Sequence, residues 1–593
     1  MRTPRATPGL VQTLGEFSTL SDGLDYAALG ETGFNFYSSR GELAHVLPYR
    51  LLRARAHAVA RRLAGHRLEH GARVAVVAET GPDFMAVFFG CQYAGLVPCP
   101  MPYSIHIGGR DAYVERIRGM LKAAAATMAV APGDLKELIV EASVGAGVRR
   151  VLTFDEINAL PESDVALDPF RADEVAYIQY SSGSTSSPKG VLITQQAVTA
   201  NVRGILQHGL RVQPDDRAFS WLPLYHDMGL VGFCLAPMMG QVTVDYLATS
   251  SFARRPALWL KLMSDNRSTI AYSPTFGYDL AGRRVNGSAV NLDLSGWRIA
   301  GIGGDMVRAD VLDTFASNLA PSGFDRRAFL PSYGMAEATL ACTFADVDRP
   351  FSIDVIDRAQ YKLSRRAVPV NGAFCNPDRV RSFVVCGRPL PGHDVEVRDD
   401  AGIVLGAREI GGIFVKGPSL MAGYFQCDEA TGTVLGKDGF LDTGDMGYLV
   451  DGQIVITGRA KDLILHNGRN IWPQDIEWAA ERVGQLRSGD VAAFAVEGEY
   501  GEDEVVVLVQ CRLSGEAAME ALRREVSAAV HRSAGVECDV VLVPGKSLPF
   551  TSSGKLSRSG AKVRYLRGEI AEISKSRADR MTADQPIAAM VAG

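Results

Sequence analysis

The run Tyr177-Ile-Gln-Tyr-Ser-Ser-Gly-Ser-Thr-Ser-Ser-Pro-Lys189-Gly190 ends a β-type stretch in a dense set of hydroxyls, one glycine and a following lysine. Ser181, Ser182, Gly183, Ser184, Thr185 and Lys189 together offer backbone N–H, hydroxyl and ammonium donors, a composition suited to a polyphosphate. A Walker A loop is excluded, because that motif needs Gly-Lys-Ser/Thr opening a helix. Here Pro188 precedes Lys189, and Gly190 leads into β-branched residues. On composition alone, a Ser/Gly-rich linker explains the stretch at least as well. Four further clusters hold residues able to do chemistry: Ser332-Tyr333-Gly334-Met335-Ala-Glu337, Thr443-Gly-Asp445, Gly458-Arg459-Ala-Lys461-Asp462 and Thr551-Ser-Ser-Gly-Lys555-Leu-Ser-Arg558. A fifth, Trp221-Leu-Pro-Leu-Tyr-His226-Asp227-Met228, contributes a histidine. Singly, each has an ordinary explanation. Asp445 suits a Thr-Gly-Asp turn, Glu337 suits the start of a helix, Lys555 suits an exposed loop, and His226 suits a satisfied core position.

The elements that must position these residues alternate between helix and strand. Leu52, Ala56, Val59 and Leu63 form a helical stripe, Arg73-Val-Ala-Val-Val-Ala is a short strand run, and Phe84 to Ala94 resumes an apolar helix. Strand-helix-strand units imply a parallel sheet covered by helices. The same grammar continues through Val175, Val242, Ile270 and Ile299, predicting a large α/β domain. After about residue 380 the strands shorten and turn residues multiply, and Asp451-Gly452 between alternating runs predicts a hairpin. Beyond Arg459 the pattern predicts a compact α+β domain: a helix from Pro473 through Val483, strands at Val491–Val496, Val505–Cys511 and Val540–Val543, and a helix with Met519, Leu522, Val526 and Val530 on one face. The expected division is 1–459, 460–566 and a poorly ordered tail at 567–593.

Composition narrows the function classes. The 593 residues are 47% hydrophobic and 22% charged, so most of the chain must fold, and a net charge of −5 gives no global basic surface for nucleic acid. The 9 cysteines form no C-x-x-C pair and no zinc-finger spacing, and read as buried thiols of a reducing cytoplasm. The N-terminus has basic residues but no apolar segment behind them, so no signal peptide is expected. The most apolar stretch, Phe84 to Leu96, is broken by Gln92 and falls short of the roughly 20 residues a bilayer requires.

In wording and order, the loop at 177–191 resembles the phosphate-binding loop of the adenylate-forming superfamily, which includes acyl-CoA synthetases, luciferases and peptide-synthetase adenylation domains. The clusters at Tyr333–Glu337, Thr443–Asp445, Gly458–Asp462 and Thr551–Arg558 resemble that superfamily's adenine and magnesium, ribose, hinge and C-terminal lysine motifs, in that order. One departure is Ser186, where many such loops have glycine. The resemblance implies a fold: a large N-terminal domain of stacked α/β subdomains plus a β-rich subdomain, followed by a small mobile α+β domain hinged at Lys461. It also implies roles. Ser181–Thr185, Lys189, Ser332–Met335, Asp445 and Arg459 would bind ATP, Tyr333 flanking adenine and Asp445 holding ribose. Glu337 would hold Mg²⁺, and Lys555 would bridge carboxylate and α-phosphate. His226 is carried as catalytic, although no proton-transfer step requires it.

Within the superfamily, Trp221 to Leu230 and the span from about residue 30 to 565 resemble the fatty acyl-AMP ligases, which activate fatty acids and pass them to acyl carrier proteins. The stretch from Glu337 to Gly387 is longer than expected of a CoA synthetase, and the extra residues, about 349–381, match the insertion that marks those ligases. Phe351, Ile353, Val355 and Ile356 are expected to dock it on the large domain. Met228, Phe233, Phe276 and Tyr278 are apolar enough to line an acyl pocket, though core packing explains them equally well. The implied partners are fatty acid, ATP and a phosphopantetheinylated carrier protein on a separate chain, with no nucleic acid and no stable membrane insertion. A long-chain acyl-CoA synthetase is the runner-up, and a catalytically silent acyl- or nucleotide-binding protein is a third reading.

Overall fold

In the computed structural model the described residues are 2–103, 109–181, 188–285, 291–370, 379–466, 469–484, 486–497, 503–550 and 555–573. They fall into two compact units. The first spans Met1–Asp357, Arg365–Ala373 and Arg381–Thr457; the second takes Arg358–Ser364, Phe374–Val380 and the chain from Gly458 onward.

The first unit is built on two large sheets. One has nine strands in the order Arg388–Pro389, Ala341–Phe344, Phe329–Gly334, Ile299–Ile302, Ile270–Ser273, Arg217–Ser220, Thr243–Leu247, Gly33–Tyr37 and Leu43–Pro48. Its inner strands run parallel and its edges antiparallel. The other orders Val97–Met101, Arg73–Val77, Met128–Ala131 and Arg150–Thr153, all parallel. Helices cover these sheets as the apolar pattern requires: Tyr49–Ala64 buries Leu52, Ala56, Val59 and Leu63, and Pro82–Tyr93, opened by a proline at its first turn, is buried from Phe84 to Tyr93. Among the described residues no helix is long and apolar enough to cross a membrane.

A four-stranded antiparallel sheet, Asp394–Arg398, Gly411–Lys416, Leu441–Val450 and Gln453–Arg459, supplies the β-rich part. Its last turn is Asp451-Gly452, both with positive φ (49° and 72°), the backbone signature of a type I′ hairpin.

Beneath the nine-stranded sheet lies a buried ion pair. Arg217 donates through Nε and Nη2 to both carboxylate oxygens of Asp245 at 2.6 and 2.7 Å, Asn35 adds a bond to Asp245 Oδ1 at 2.9 Å, and Arg217 Nη1 reaches the Thr3 carbonyl at 3.0 Å. The two side chains are only 3% and 0% exposed, so removing one partner strands a charge in the core. Arg217→Ala should therefore cost about 3–5 kcal/mol, read as a lower urea midpoint, and the apolar pair Arg217→Met with Asp245→Leu should recover most of it.

In the second unit, Val491–Glu497 pairs antiparallel with Asp503–Cys511, which pairs parallel with Asp539–Pro544. The period of two divides this sheet cleanly. Val491, Ala493, Val505, Val507 and Val509 pack with Leu522, Val526 and Val530 of helix Glu516–Ala534, while Ala492, Phe494, Val506 and Leu508 pack with Leu548, Ala561 and Ile570. The helix expected from Pro473 to Val483 stops at Ala480, where Glu481 accepts the Gly489 amide at 2.6 Å and the chain turns. Of the tail expected at 567–593, residues 567–573 are instead packed on this unit, with Ile570 buried and Glu572 accepting from Arg523 at 3.1 Å; the remainder lies outside the described residues.

The insertion divides between the two units. Its strand Ile353–Asp357 belongs to the first, where Asp354 accepts two bonds from Arg408 (3.0 and 3.1 Å) and one from Tyr448 Oη (2.7 Å). Phe351 and Ile356 are buried as expected, but Ile353 is 36% exposed and Val355 only half-buried. The pleat turns Asp354 and Ile356 to one side and Ile353 and Val355 to the other, so Asp354 adds a polar anchor beside the apolar contacts of Ile356 and of Phe351, whose ring lies 5.9 Å from Phe329. The following helix, Arg358–Ser364, belongs to the second unit. There Arg358 donates to the Ser533 carbonyl and Lys362 Nζ to that of Ala534 at 3.2 Å. Two cations four residues apart thus meet the C-terminal carbonyls of helix Glu516–Ala534, where the helix dipole favours positive charge.

Candidate active site

Strands Val175–Tyr180 and Gly190–Thr194 pair antiparallel, and the Ser181 amide closes them by donating to the Lys189 carbonyl at 3.2 Å. The expected phosphate donors Ser182, Gly183, Ser184 and Thr185 lie outside the described residues, as do Thr551–Gly554 before Lys555. Lys189 is described: its Nζ stands 4.8 Å from the centroid of the Tyr424 ring. Tyr424 in turn donates its hydroxyl to Glu337 Oε1 at 2.9 Å, so one aromatic side chain holds a cation on its face and a carboxylate at its tip. Burial, then the Glu337 charge, raises the Tyr424 pKa, which keeps the phenol a donor. A second backbone tie, from the Met421 amide to the Glu337 carbonyl (2.8 Å), fixes the same segment.

The ribose-type carboxylate is joined to the adenine-type tyrosine. Tyr333 Oη donates to Asp445 Oδ2 at 2.8 Å, and the Asp445 amide donates to Thr443 Oγ1 at 3.1 Å. Burial raises the Tyr333 pKa well above its usual value, and the Asp445 charge adds to the rise. Gly334 is required by close approach, since a Cβ there would lie 1.8 Å from the Leu340 carbonyl oxygen. Ser332 Oγ reaches back to the Ile302 carbonyl at 3.3 Å, placing the motif at the carboxyl end of the parallel strands. Ligands of open α/β sheets bind outside these ends.

His226 precedes a helical run, Asp227–Leu230 continued by a π-turn at Val231–Leu235 and by Ala236–Met239. Its Nδ1 lies 2.5 Å from Asp227 Oδ1, and Gln179 Nε2 donates to the neighbouring Tyr225 carbonyl at 2.8 Å, tying this turn to the strand that ends at Tyr180. Met228 and Phe233 are buried, and Phe233 meets Tyr272 edge-on at 6.4 Å. Phe276 is half-buried beside Trp221 at 5.9 Å. Tyr278 lies within an aromatic core with Trp259, Trp297, Phe315 and Phe329, its hydroxyl on the Gly301 carbonyl at 2.9 Å.

Arg459, Lys461 and Lys555 belong to the second unit. Lys461 lies in the short turn Ala460–Asp462 directly after Arg459. Lys555 is half-buried and stands just before helix Arg558–Leu566, whose first residue is clamped: Arg558 donates to both Glu477 oxygens at 2.8 Å and to Asp462 at 2.9 Å.

Sequence reasoning missed Tyr424, which no spacing signals because the Glu337 contact closes across 87 positions. Among the described residues no three His, Cys, Asp or Glu side chains gather to hold a metal. A single buried carboxylate, one oxygen of which takes Tyr424's hydroxyl, fits Mg²⁺ that keeps water and phosphate oxygens as its other ligands. Glu337 would hold it, and bound there it would neutralise phosphate charge.

A family model described as "AMP-binding enzyme" matches residues 42–425. A Caulobacter vibrioides protein whose name places it provisionally among the acyl-CoA synthetases is 50% identical over 96% of this chain and 98% of its own. JamA of Moorena producens, named a medium-chain-fatty-acid–[acyl-carrier-protein] ligase, is 32% identical over 94% of this chain and 96% of its own. A solved structure from work on the fatty acyl-adenylate ligases of E. coli and L. pneumophila superposes with a TM-score of 0.90 at 42% identity, over 94% of this chain and 100% of that one. The chain therefore belongs to the AMP-binding, adenylate-forming enzymes, in their fatty acyl-AMP ligase branch, and is an ATP-dependent, AMP-forming ligase.

Proposed function

We propose that this enzyme joins a fatty acid to AMP and then passes the acyl group to the phosphopantetheine thiol of a separate, cytoplasmic acyl carrier protein. A fatty acid is ionised at neutral pH, so its oxygen attacks the α-phosphorus without a general base. The bond to the β-phosphate oxygen breaks and pyrophosphate leaves. The carrier thiolate then attacks the acyl carbon, and AMP leaves. Lys189, Glu337 with Mg²⁺, and Lys555 would align and neutralise the anions, and Asp445 and Arg459 would hold the nucleotide.

The observation that carries the carrier-protein reading is the insertion. Its strand is bonded into the first unit through Asp354, and its helix into the second through Arg358 and Lys362. In the proposed cycle the second unit must turn about Lys461 before a thiol reaches the adenylate, and a segment anchored in both units opposes that turn. A bias of about 1.4 kcal/mol against the thiol-accepting state lowers its population tenfold. A folded carrier offers more surface than CoA with which to repay it. Acyl-CoA synthesis is the second reading, favoured by the name of the 50% identical relative.

The test incubates the enzyme with ATP, Mg²⁺ and fatty acids of graded length, alone, with CoA, or with a holo-carrier protein, and resolves acyl-AMP, acyl-CoA and acyl-carrier. We expect acyl-AMP to accumulate despite CoA and to discharge onto the carrier. Arg358→Ala with Lys362→Ala should raise acyl-CoA formation about tenfold. Efficient acyl-CoA synthesis by the unaltered protein would establish the second reading instead.

A further inference from the structure

Glu337 lies in the short turn Ala336–Ala338, and the next residue, Thr339, has φ +69° and ψ −60°. With the Leu340 amide donating to the Ala338 carbonyl at 2.8 Å, this is a γ-turn of the positive-φ form, rare in proteins and strained. A β-branched residue is an unfavourable occupant, and such a conformation costs about 1–3 kcal/mol that its surroundings must offset.

The surroundings supply a single file of buried polar groups. Thr339 is fully buried and donates its hydroxyl to the Ser419 carbonyl at 2.7 Å. Ser419, also fully buried, places Oγ 2.6 Å from His393 Nε2, and His393 Nδ1 lies 3.2 Å from the Pro391 carbonyl. Burial lowers the His393 pKa, which favours the neutral ring. A carbonyl can only accept, so Nδ1 carries the proton and Nε2 receives the Ser419 hydroxyl. The ring rests on Gly417, where a Cβ would come 2.3 Å from His393 Cδ2. The loop that bears Ser419 is the one that also touches Glu337 through the Met421 amide and the Tyr424 hydroxyl.

We propose that His393, Ser419 and Thr339 are positioning residues that aim the Glu337 carboxylate at the divalent cation carried by ATP. The proposal rests on the adenylate-forming reading, in which Glu337 faces that cation. Holding Thr339 in its strained turn fixes the peptide that leads out of Glu337. Cutting the file at Thr339 or Ser419 lets the turn relax and turns the carboxylate away while leaving the nucleotide's other contacts in place.

The probe is Mn²⁺ with ATP, its binding followed by electron paramagnetic resonance and compared with calorimetric ATP binding in EDTA. Thr339→Val keeps the β-branch and removes the hydroxyl; Ser419→Ala cuts the next link; Thr339→Ser keeps the hydroxyl. We expect Thr339→Val and Ser419→Ala to weaken Mn²⁺ in the ATP complex about ten- to a hundredfold, the effect usual for partners that orient a metal ligand. Metal-free ATP affinity should change less than twofold, and Thr339→Ser should match the parent. Unchanged Mn²⁺ affinity in either folded variant, or a parallel loss of metal-free ATP binding, would overturn the proposal; if Thr339→Val fails to fold, Ser419→Ala decides. A parent enzyme that binds no Mn²⁺ with ATP would instead sink the adenylation reading itself.

Discussion

Lys555→Ala should lower adenylate formation by about two to three orders of magnitude while leaving transfer from supplied acyl-AMP nearly intact. A carboxylate and an α-phosphate approaching one another are two anions, and an ammonium group between them stabilises the crowded transition state more than either separate ground state. Removing one such preorganised charge costs on the order of 3–4 kcal/mol in a dehydrated site, matching the stated loss. The structure supplies the rigidity. Lys555 lies beside the Phe550–Leu556 bridge and two residues before Ser557, which caps helix Arg558–Leu566 through the Gly560 amide at 3.2 Å. Arg558 is locked by Glu477 and Asp462, so the lysine springs from a fixed base. Single-turnover assays of the two half-reactions check the prediction, and normal adenylation by the variant would remove Lys555 from the site.

The second large effect is expected at Asp445, where replacement by Ala should raise the KM for ATP about a hundredfold and change turnover far less. Ribose hydroxyls are held alike before and during reaction, so bonds to them act as uniform binding. Two charge-assisted bonds at about 1.5 kcal/mol each account for the magnitude. Asp445 is 8% exposed and already accepts from Tyr333, which orients it before the nucleotide arrives. Steady-state kinetics with varied ATP provide the check: a turnover defect at unchanged nucleotide affinity would contradict the ribose role.

Much of this architecture is legible where local chemistry decides it. The Leu52 to Leu63 stripe, the alternating strands of the second unit and the Asp451-Gly452 turn follow from periodicities of 3.6 and 2 and from the tolerance of Asp and Gly for positive φ. The five ordered motifs likewise name the segments that carry the candidate site residues. Relations made across the fold are not legible. Tyr424 sits on a two-residue strand and reveals itself only by pairing against Val191, which brings it to Glu337. Thr339 has a positive φ that its residue type argues against, because a distant serine holds it there. In the insertion, Phe351 and Ile356 are buried as their apolar type predicts, but the polar attachments of Asp354, Arg358 and Lys362 close over long sequence separations that no spacing signals.

The division of the insertion bears on synthesis and on recombination. Helix Arg358–Ser364 leaves the ribosome roughly 170 residues ahead of Ser533 and Ala534, a delay of about ten to thirty seconds at ordinary elongation rates. Seven residues do not hold a helix alone in water. The nascent segment therefore waits, unstructured, until its partner helix emerges. A fragment beginning at Gly458 would likewise lack the two cations that cover the end of helix Glu516–Ala534. In exchanges between relatives, then, the C-terminal segment and residues 358–364 should travel together, although most of the chain between them belongs to the first unit.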